Sequence, residues 1–219
     1  MSTEPFWQVF AAPEGLAGPP YADRFPARVS DDRVLELPLR VLPGDGDRAV
    51  ASLIINHAAF PVIDWFCREL ARRAGHLSPE VVVGLPTLGL MVAPGVAQNL
   101  GLPHFVPMGY SRKFWYDDAL SESVSSVTTP TQAKRLYLDP NLVSRIAGRR
   151  VVIVDDVVSR GTTIAAARRL LDRLGVQTVG ALTIMAQTER WKSVLGDLPL
   201  VHLFSSPLFE RRADGWWPL

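Results

Sequence analysis

The chain has 219 residues, 47% of them hydrophobic and 21% charged, and 23 Lys and Arg against 22 Asp and Glu leave a net charge of +1. That balance describes one ordinary globular domain, or one with an appendage, and excludes a disordered chain, a fibrous repeat and a disulfide mini-protein. A charge so near zero gives no field that would draw nucleic acid or an anionic membrane.

Four prolines fall between Pro13 and Pro26, beside Gly15 and Gly18. Proline fixes its own φ and biases the residue before it away from helix. The Pro13–Pro26 segment therefore reads as an irregular arm or cap, not a folded domain of its own, and residues 1–48 as an N-terminal arm beside the rest of the chain. Within the arm, Arg33–Leu42 alternates as a strand that Pro38 would confine to a sheet edge. Phe60–Arg73 places Val62, Ile63, Phe66, Cys67, Leu70 and Ala71 at helical spacing, and Gly75 stops the helix. Cys67, the single cysteine, is then a small core hydrophobe. Val81-Val82-Val83, closed by Gly84, is a buried strand. Leu88–Leu100 is apolar at helical spacing, with Pro94 kinking the helix or delaying its start. His104–Pro107 is a second short strand, Arg150–Val154 a third and the strongest, Thr178–Met185 a fourth and Leu200–Phe204 the last. Thr162–Leu174 is a helix with Ile164, Ala167, Leu170, Leu171 and Leu174 on one face. This alternation predicts an α/β fold over 49–219, doubly wound, with a mainly parallel sheet flanked by helices.

No apolar run approaches the roughly 20 residues that span a bilayer. Met1–Pro5 lack the basic-then-apolar pattern of a secretion signal. With one cysteine, a reducing, cytoplasmic setting is expected. His57, His76, His104 and His202 are scattered without metal-ligand spacing.

Residues 111–139 show no periodicity of either kind, and Ser and Thr crowd the stretch between Ser121 and Thr131. A loop this long inside a domain is uncommon and often a functional lid. Arg112-Lys113 and Lys134-Arg135 bracket it, and Phe114, Trp115 and Tyr116 adjoin the first pair.

Val151–Thr163, VVIVDDVVSRGTT, carries the chemistry. A buried parallel strand ends in two carboxylates, Asp155 and Asp156. A helix begins at Thr162, after a turn containing Ser159, Arg160 and Gly161. Ligands of doubly wound sheets bind beyond the carboxyl ends of the strands. Free N–H groups at a helix start make an anion site. Carboxylates beside a phosphate make sense if they bind ribose hydroxyls or help hold Mg²⁺. The ligand implied is a sugar phosphate with neighbouring hydroxyls. Neither the Walker A pattern nor G-x-G-x-x-G is present.

The string closely resembles the phosphoribosyl-pyrophosphate (PRPP) motif of type I phosphoribosyltransferases, and the resemblance extends over roughly residues 50–210. Val83-Gly84-Leu85-Pro86-Thr87-Leu88-Gly89-Leu90 is similar to the family's pyrophosphate loop. Tyr110-Ser111-Arg112-Lys113 is similar to the opening of its flexible catalytic loop. Phe204-Ser205-Ser206-Pro207-Leu208 resembles the C-terminal strand of adenine-type members.

The resemblance implies a phosphoribosyltransferase that moves the 5-phosphoribosyl group of PRPP to a nucleobase nitrogen, a purine or purine-like base favoured, and releases pyrophosphate. It implies that Asp155 and Asp156 bind the ribose hydroxyls and lie at Mg²⁺, and that Ser159, Arg160, Gly161, Thr162 and Thr163 cradle the 5-phosphate. Thr87, Leu88 and Gly89 offer backbone groups to pyrophosphate. Arg112 and Lys113, with Lys134 and Tyr137, are the catalytic candidates of a lid at 111–139. Residues 1–48 become a hood over the base, with Phe6, Trp7, Phe25, Trp191 and Trp216-Trp217 as stacking candidates. A homodimer is implied. Leu88, where many members carry Arg, Lys or another polar residue, is the feature that favours a rival reading, a non-catalytic PRPP-sensing regulator.

Overall fold

The computed structural model describes residues 9–14, 16–44, 46–124 and 134–219; Phe6, Trp7 and most of the Ser/Thr-rich stretch lie outside them. In chain order the elements are β1 (Arg24–Ser30), β2 (Arg33–Val41), β3 (Arg48–Ala51), α1 (Phe60–Ala74), β4 (Val81–Gly84), α2 (Gly89–Asn99), β5 (Val106–Gly109), β6 (Ser121–Val124), β7 (Lys134–Leu138), α3 (Val143–Ile146), β8 (Arg150–Val158), α4 (Thr162–Arg173), β9 (Gln177–Gln187), α5 (Trp191–Leu195), β10 (Leu200–Ser206), β11 (Leu208–Arg212) and β12 (Gly215–Pro218).

Two sheets form among the described residues. The larger has the order β10-β9-β8-β4-β5-β7-β6. Its first five strands run parallel, and β7 and β6 are added antiparallel at one edge. The fold class read from the sequence is the one observed. The smaller sheet, β1-β2-β3-β11-β12, is antiparallel throughout and joins both ends of the chain.

The helix α1 buries Val62, Phe66, Cys67, Leu70, Ala71 and Ala74, the face its spacing predicts. It crosses α2 at close range: a Cβ on Gly95 would lie 2.6 Å from Cys67 Sγ. Burial pushes the Cys67 thiol up to about 11, so Cys67 behaves as a core hydrophobe. Pro94 lies inside α2, whose helix still starts at Gly89. Burial of Val92, Ala93, Val96 and Ala97 outweighs the proline's local cost, because tertiary packing supplies most helical stability.

Five other expectations are corrected. Pro38 does not mark an edge, since β2 lies between β1 and β3. It stands opposite Arg24, where the β1 ladder ends, and β3 takes over from Leu39. The second parallel strand is Val106–Gly109 rather than 104–107, because pairing to β4 begins at Val106. The third does not stop at Val154; its pairing with β9 runs on to Val158 and carries Asp155 and Asp156 within the strand. Leu200–Ser206 is not the last strand, since β11 and β12 follow. The 111–139 stretch contains two strands, β6 and β7, which pair antiparallel. Ser121-Glu122-Ser123-Val124 has no apolar alternation to reveal it. Ion pairs from Glu122 to Arg169 and Arg173 of α4 hold it instead.

One core lies between the smaller sheet, α1, α2 and one face of the larger sheet. A second lies on the opposite face, under α4 and α5. The carboxyl ends of the parallel strands emerge between them.

Candidate active site

The site is built on the exit of β8. Gly161 caps α4 with φ +78°, a left-handed conformation that glycine adopts without a steric penalty. A Cβ there would also lie 3.2 Å from Leu195. The turn therefore closes tightly, and the first N–H groups of α4 face outward as an anion-binding end. A cavity of about 320 Å³ lies over this turn, walled by Asp155, Val157 and Val158 on one side and by residues 159–164 on the other. Ser159, Arg160, Gly161, Thr162 and Thr163 all line this cavity.

Asp155 accepts the backbone N–H of Asp156 at 3.0 Å. Burial first, and the neighbouring Asp156 charge second, push the Asp155 carboxyl well above its ordinary value. Burial likewise raises Asp156. Among the described residues no Lys or Arg forms an ion pair with either carboxylate. Two recessed acids without a basic partner fit a divalent cation or sugar hydroxyls as their counterpart. No third acid, His or Cys joins them among the described residues, so such a cation would take its other oxygens from the ligand.

The β4 exit forms the second wall. Leu85 N–H donates to Val154 O at 2.9 Å. The Pro86–Thr87 peptide is cis. A Cβ on Gly89 would fall 2.8 Å from Val154 O and 2.9 Å from Asp155 Cα. Only glycine lets the start of α2 lie this close to the acidic pair. Thr87 is exposed, whereas Leu88 packs against the core beneath. Its side chain serves packing.

The lid candidates are not all gathered here. Arg112 is tied to Asp118 of its own segment, at 2.9 Å. Lys113 is exposed. Tyr137 stacks obliquely on Tyr116, with centroids 6.2 Å apart. Lys134 Nζ sits over the Tyr110 ring, 5.2 Å from its centroid. Tyr110 reaches Thr163 and feels the charges of Asp155 and Asp156; burial chiefly raises its pKa.

Sequence reasoning did not single out Tyr110 as a site residue. Its signal was its place at the exit of a parallel strand. Gln187 lies at the exit of β9, where its Nε2 donates to Ala51 O of β3 at 3.1 Å. Phe25 packs edge-on to Tyr21 and tilted on Phe209, at 5.6 and 5.2 Å, so its ring is committed to holding the smaller sheet. Trp216 is buried and Trp217 bonds Asp214.

Residues 54–198 match the family described as phosphoribosyl transferase domain. An adenine phosphoribosyltransferase of Erythrobacter litoralis is 32% identical over 145 residues, covering 65% of this chain and 75% of the relative. One from Methylibium petroleiphilum is 27% identical over 191 residues, covering 85% and 90%. The solved adenine phosphoribosyltransferase of Rhodothermus marinus superposes with a TM-score of 0.60 at 22% identity, over 76% of this chain and 93% of that one.

Proposed function

The chain belongs to the phosphoribosyl transferase domain family, and from that premise we propose that it transfers the 5-phosphoribosyl group of PRPP to a ring nitrogen of adenine or a closely related purine, releasing pyrophosphate. The observation that carries this reading is the recessed Asp155–Asp156 pair beside the Gly161-led start of α4, around one cavity of sugar-phosphate size. The names of the relatives supply the base.

The N–H groups of residues 159–163 and the Ser159, Thr162 and Thr163 hydroxyls hold the 5-phosphate, with Arg160 adding charge. Asp155 and Asp156 take the ribose hydroxyls. Bound with the diphosphate, Mg²⁺ would be held by the same two carboxylates and supplies neutralisation of the leaving group. Thr87, Leu88 and Gly89 present backbone N–H groups to pyrophosphate.

The bond from ribose C1 to pyrophosphate breaks as the acceptor nitrogen attacks, its electron pair leaves with pyrophosphate, and the proton displaced from the acceptor nitrogen leaves with the pyrophosphate. The protein's share is orientation, charge stabilisation and exclusion of water. Arg112 exchanges Asp118 for the leaving group when the lid at 111–139 folds over, and Lys113, Lys134 and Tyr137 complete its inner surface. The smaller sheet, with residues 1–48 and the returning C-terminal strands, is the hood over the base. The enzyme works in the cytoplasm as a homodimer. Among the described residues no helix is long and apolar enough to cross a membrane.

The test is calorimetric titration with PRPP and Mg²⁺, followed by pyrophosphate release over a panel of purines and pyrimidines. Binding with release on adenine is expected. Binding without release from any base would replace the transferase reading with a PRPP sensor.

A further inference from the structure

The proposed function leaves open how the protein would tell one purine from another. We infer that Gln187 is the specificity-determining residue, reading the edge of the acceptor that carries the 6-amino group and N7. This inference rests on the adenine reading above.

Gln187 is the last residue of β9. The two residues before it, Met185 and Ala186, stand in register with Val157 and Val158 of β8, and those two wall the 320 Å³ cavity. Neighbouring strands lie about 4.8 Å apart, so Gln187 stands one strand spacing from the cavity wall. On the other side Gln187 meets the smaller sheet, because its Nε2 donates to Ala51 O at 3.1 Å. Ala51 ends β3 and is fully buried. The carboxamide thus spans the seam between the two sheets at the carboxyl edge. Its orientation is fixed by a backbone carbonyl that cannot move without moving β3. Thr188, at φ +60°, turns the chain away immediately afterwards.

A carboxamide has two N–H donors and one acceptor oxygen. One N–H is committed to Ala51. One donor and one acceptor remain side by side. That pair matches the edge of a 6-aminopurine, where the amino group donates and N7 accepts, the same match by which Gln reads adenine in nucleic acids. A 6-oxopurine offers two acceptors there, so Oε1 would face an oxygen or a ring nitrogen without a proton between them. Sites that pair a substrate's polar edge reject the analogue that leaves the pair unmade.

The experiment is steady-state pyrophosphate release by the parent, Gln187→Leu and Gln187→Glu, with adenine and hypoxanthine as acceptors. The KM for PRPP and the melting temperature of each protein are measured alongside. Both variants should lose about 10- to 100-fold in kcat/KM for adenine. Their adenine-to-hypoxanthine ratio should collapse by a similar factor, and the KM for PRPP should hold within about twofold. Gln187→Glu keeps the side chain's size and serves if the leucine variant folds poorly. A ratio unchanged in a folded variant that still uses adenine overturns the inference and leaves the transferase reading standing. A parent that releases no pyrophosphate with adenine overturns both.

Discussion

Among the described residues no Lys or Arg pairs with Asp155 or Asp156, and that arrangement has a measurable consequence. Their folded-state pKa values are raised, chiefly by burial, so the folded protein holds those protons more tightly than the unfolded chain. Stability is full below the ordinary carboxylate range and falls as pH climbs through it towards the raised values. Asp155→Asn removes that loss. The ligand-free variant should melt higher than the parent at pH 8, with the difference gone near pH 3. Scanning calorimetry across pH decides it; equal melting at pH 8 would show that the pair carries no strain. The same site predicts that Asp156→Asn weakens PRPP at least about tenfold while leaving the fold intact, since one charged partner is worth roughly 1.5–3 kcal/mol. Unchanged titration isotherms would remove Asp156 from the site.

At the scale of elements, the pair β6–β7 shows how a mostly polar strand, β6, is held beside a β7 that buries Leu136 and Leu138. Glu122 bonds Arg169 and Arg173 of α4. Those two side chains also reach the carbonyls of Ser123 and Ser121, and Arg135 binds the Ser121 hydroxyl at 2.7 Å. The root of the proposed lid is thereby fastened to the helix that begins at the phosphate turn. Burial alone would raise the Glu122 carboxyl, but the two guanidiniums outweigh it and hold it below its ordinary value. A lowered carboxyl pKa contributes stability above the ordinary carboxylate range and loses it as pH falls. Both arginines are about half exposed, so solvent screening limits the pairs to about 1 kcal/mol. Glu122→Gln should therefore lower the melting temperature by about 2–4 °C at pH 7 and by nothing measurable near pH 3. A deficit that persisted at low pH would mean that packing, not charge, holds the strand pair.

For the whole molecule, the decisive fact is that the smaller sheet has no core of its own. Ala27, Leu35 and Leu37 pack in the same cluster as Phe66, Val82 and Val152. Phe209 on β11 is fully buried, with Phe25 and Tyr21 against it. Phe209→Ala should cost about 3–5 kcal/mol. The loss should appear as one shifted transition in urea, with tryptophan fluorescence and PRPP binding lost together. Separate transitions for the two signals would mean that the smaller sheet folds as a unit of its own.

The sequence by itself determined the parallel sheet, the helices packed on it and the thirteen residues around Asp155 and Gly161, because each is local. A β-branched run, a helical apolar stripe, and a turn that demands glycine and hydroxyls are all written in consecutive residues. Tertiary structure alone decided the rest. Phe209 and Trp216 join the N-terminal strands across more than 150 residues of chain, and no periodicity encodes a pairing between distant strands. Leu88, an anomaly in the sequence, is a packing residue once the core beneath it is seen. Arg112 is engaged by Asp118 only because the chain turns at Phe114-Trp115, where Tyr116 N–H donates to Lys113 O. Gln187 acquires its partner where two sheets meet. These are contacts between segments that only the folded chain brings together, and their energy is not a property of any one segment.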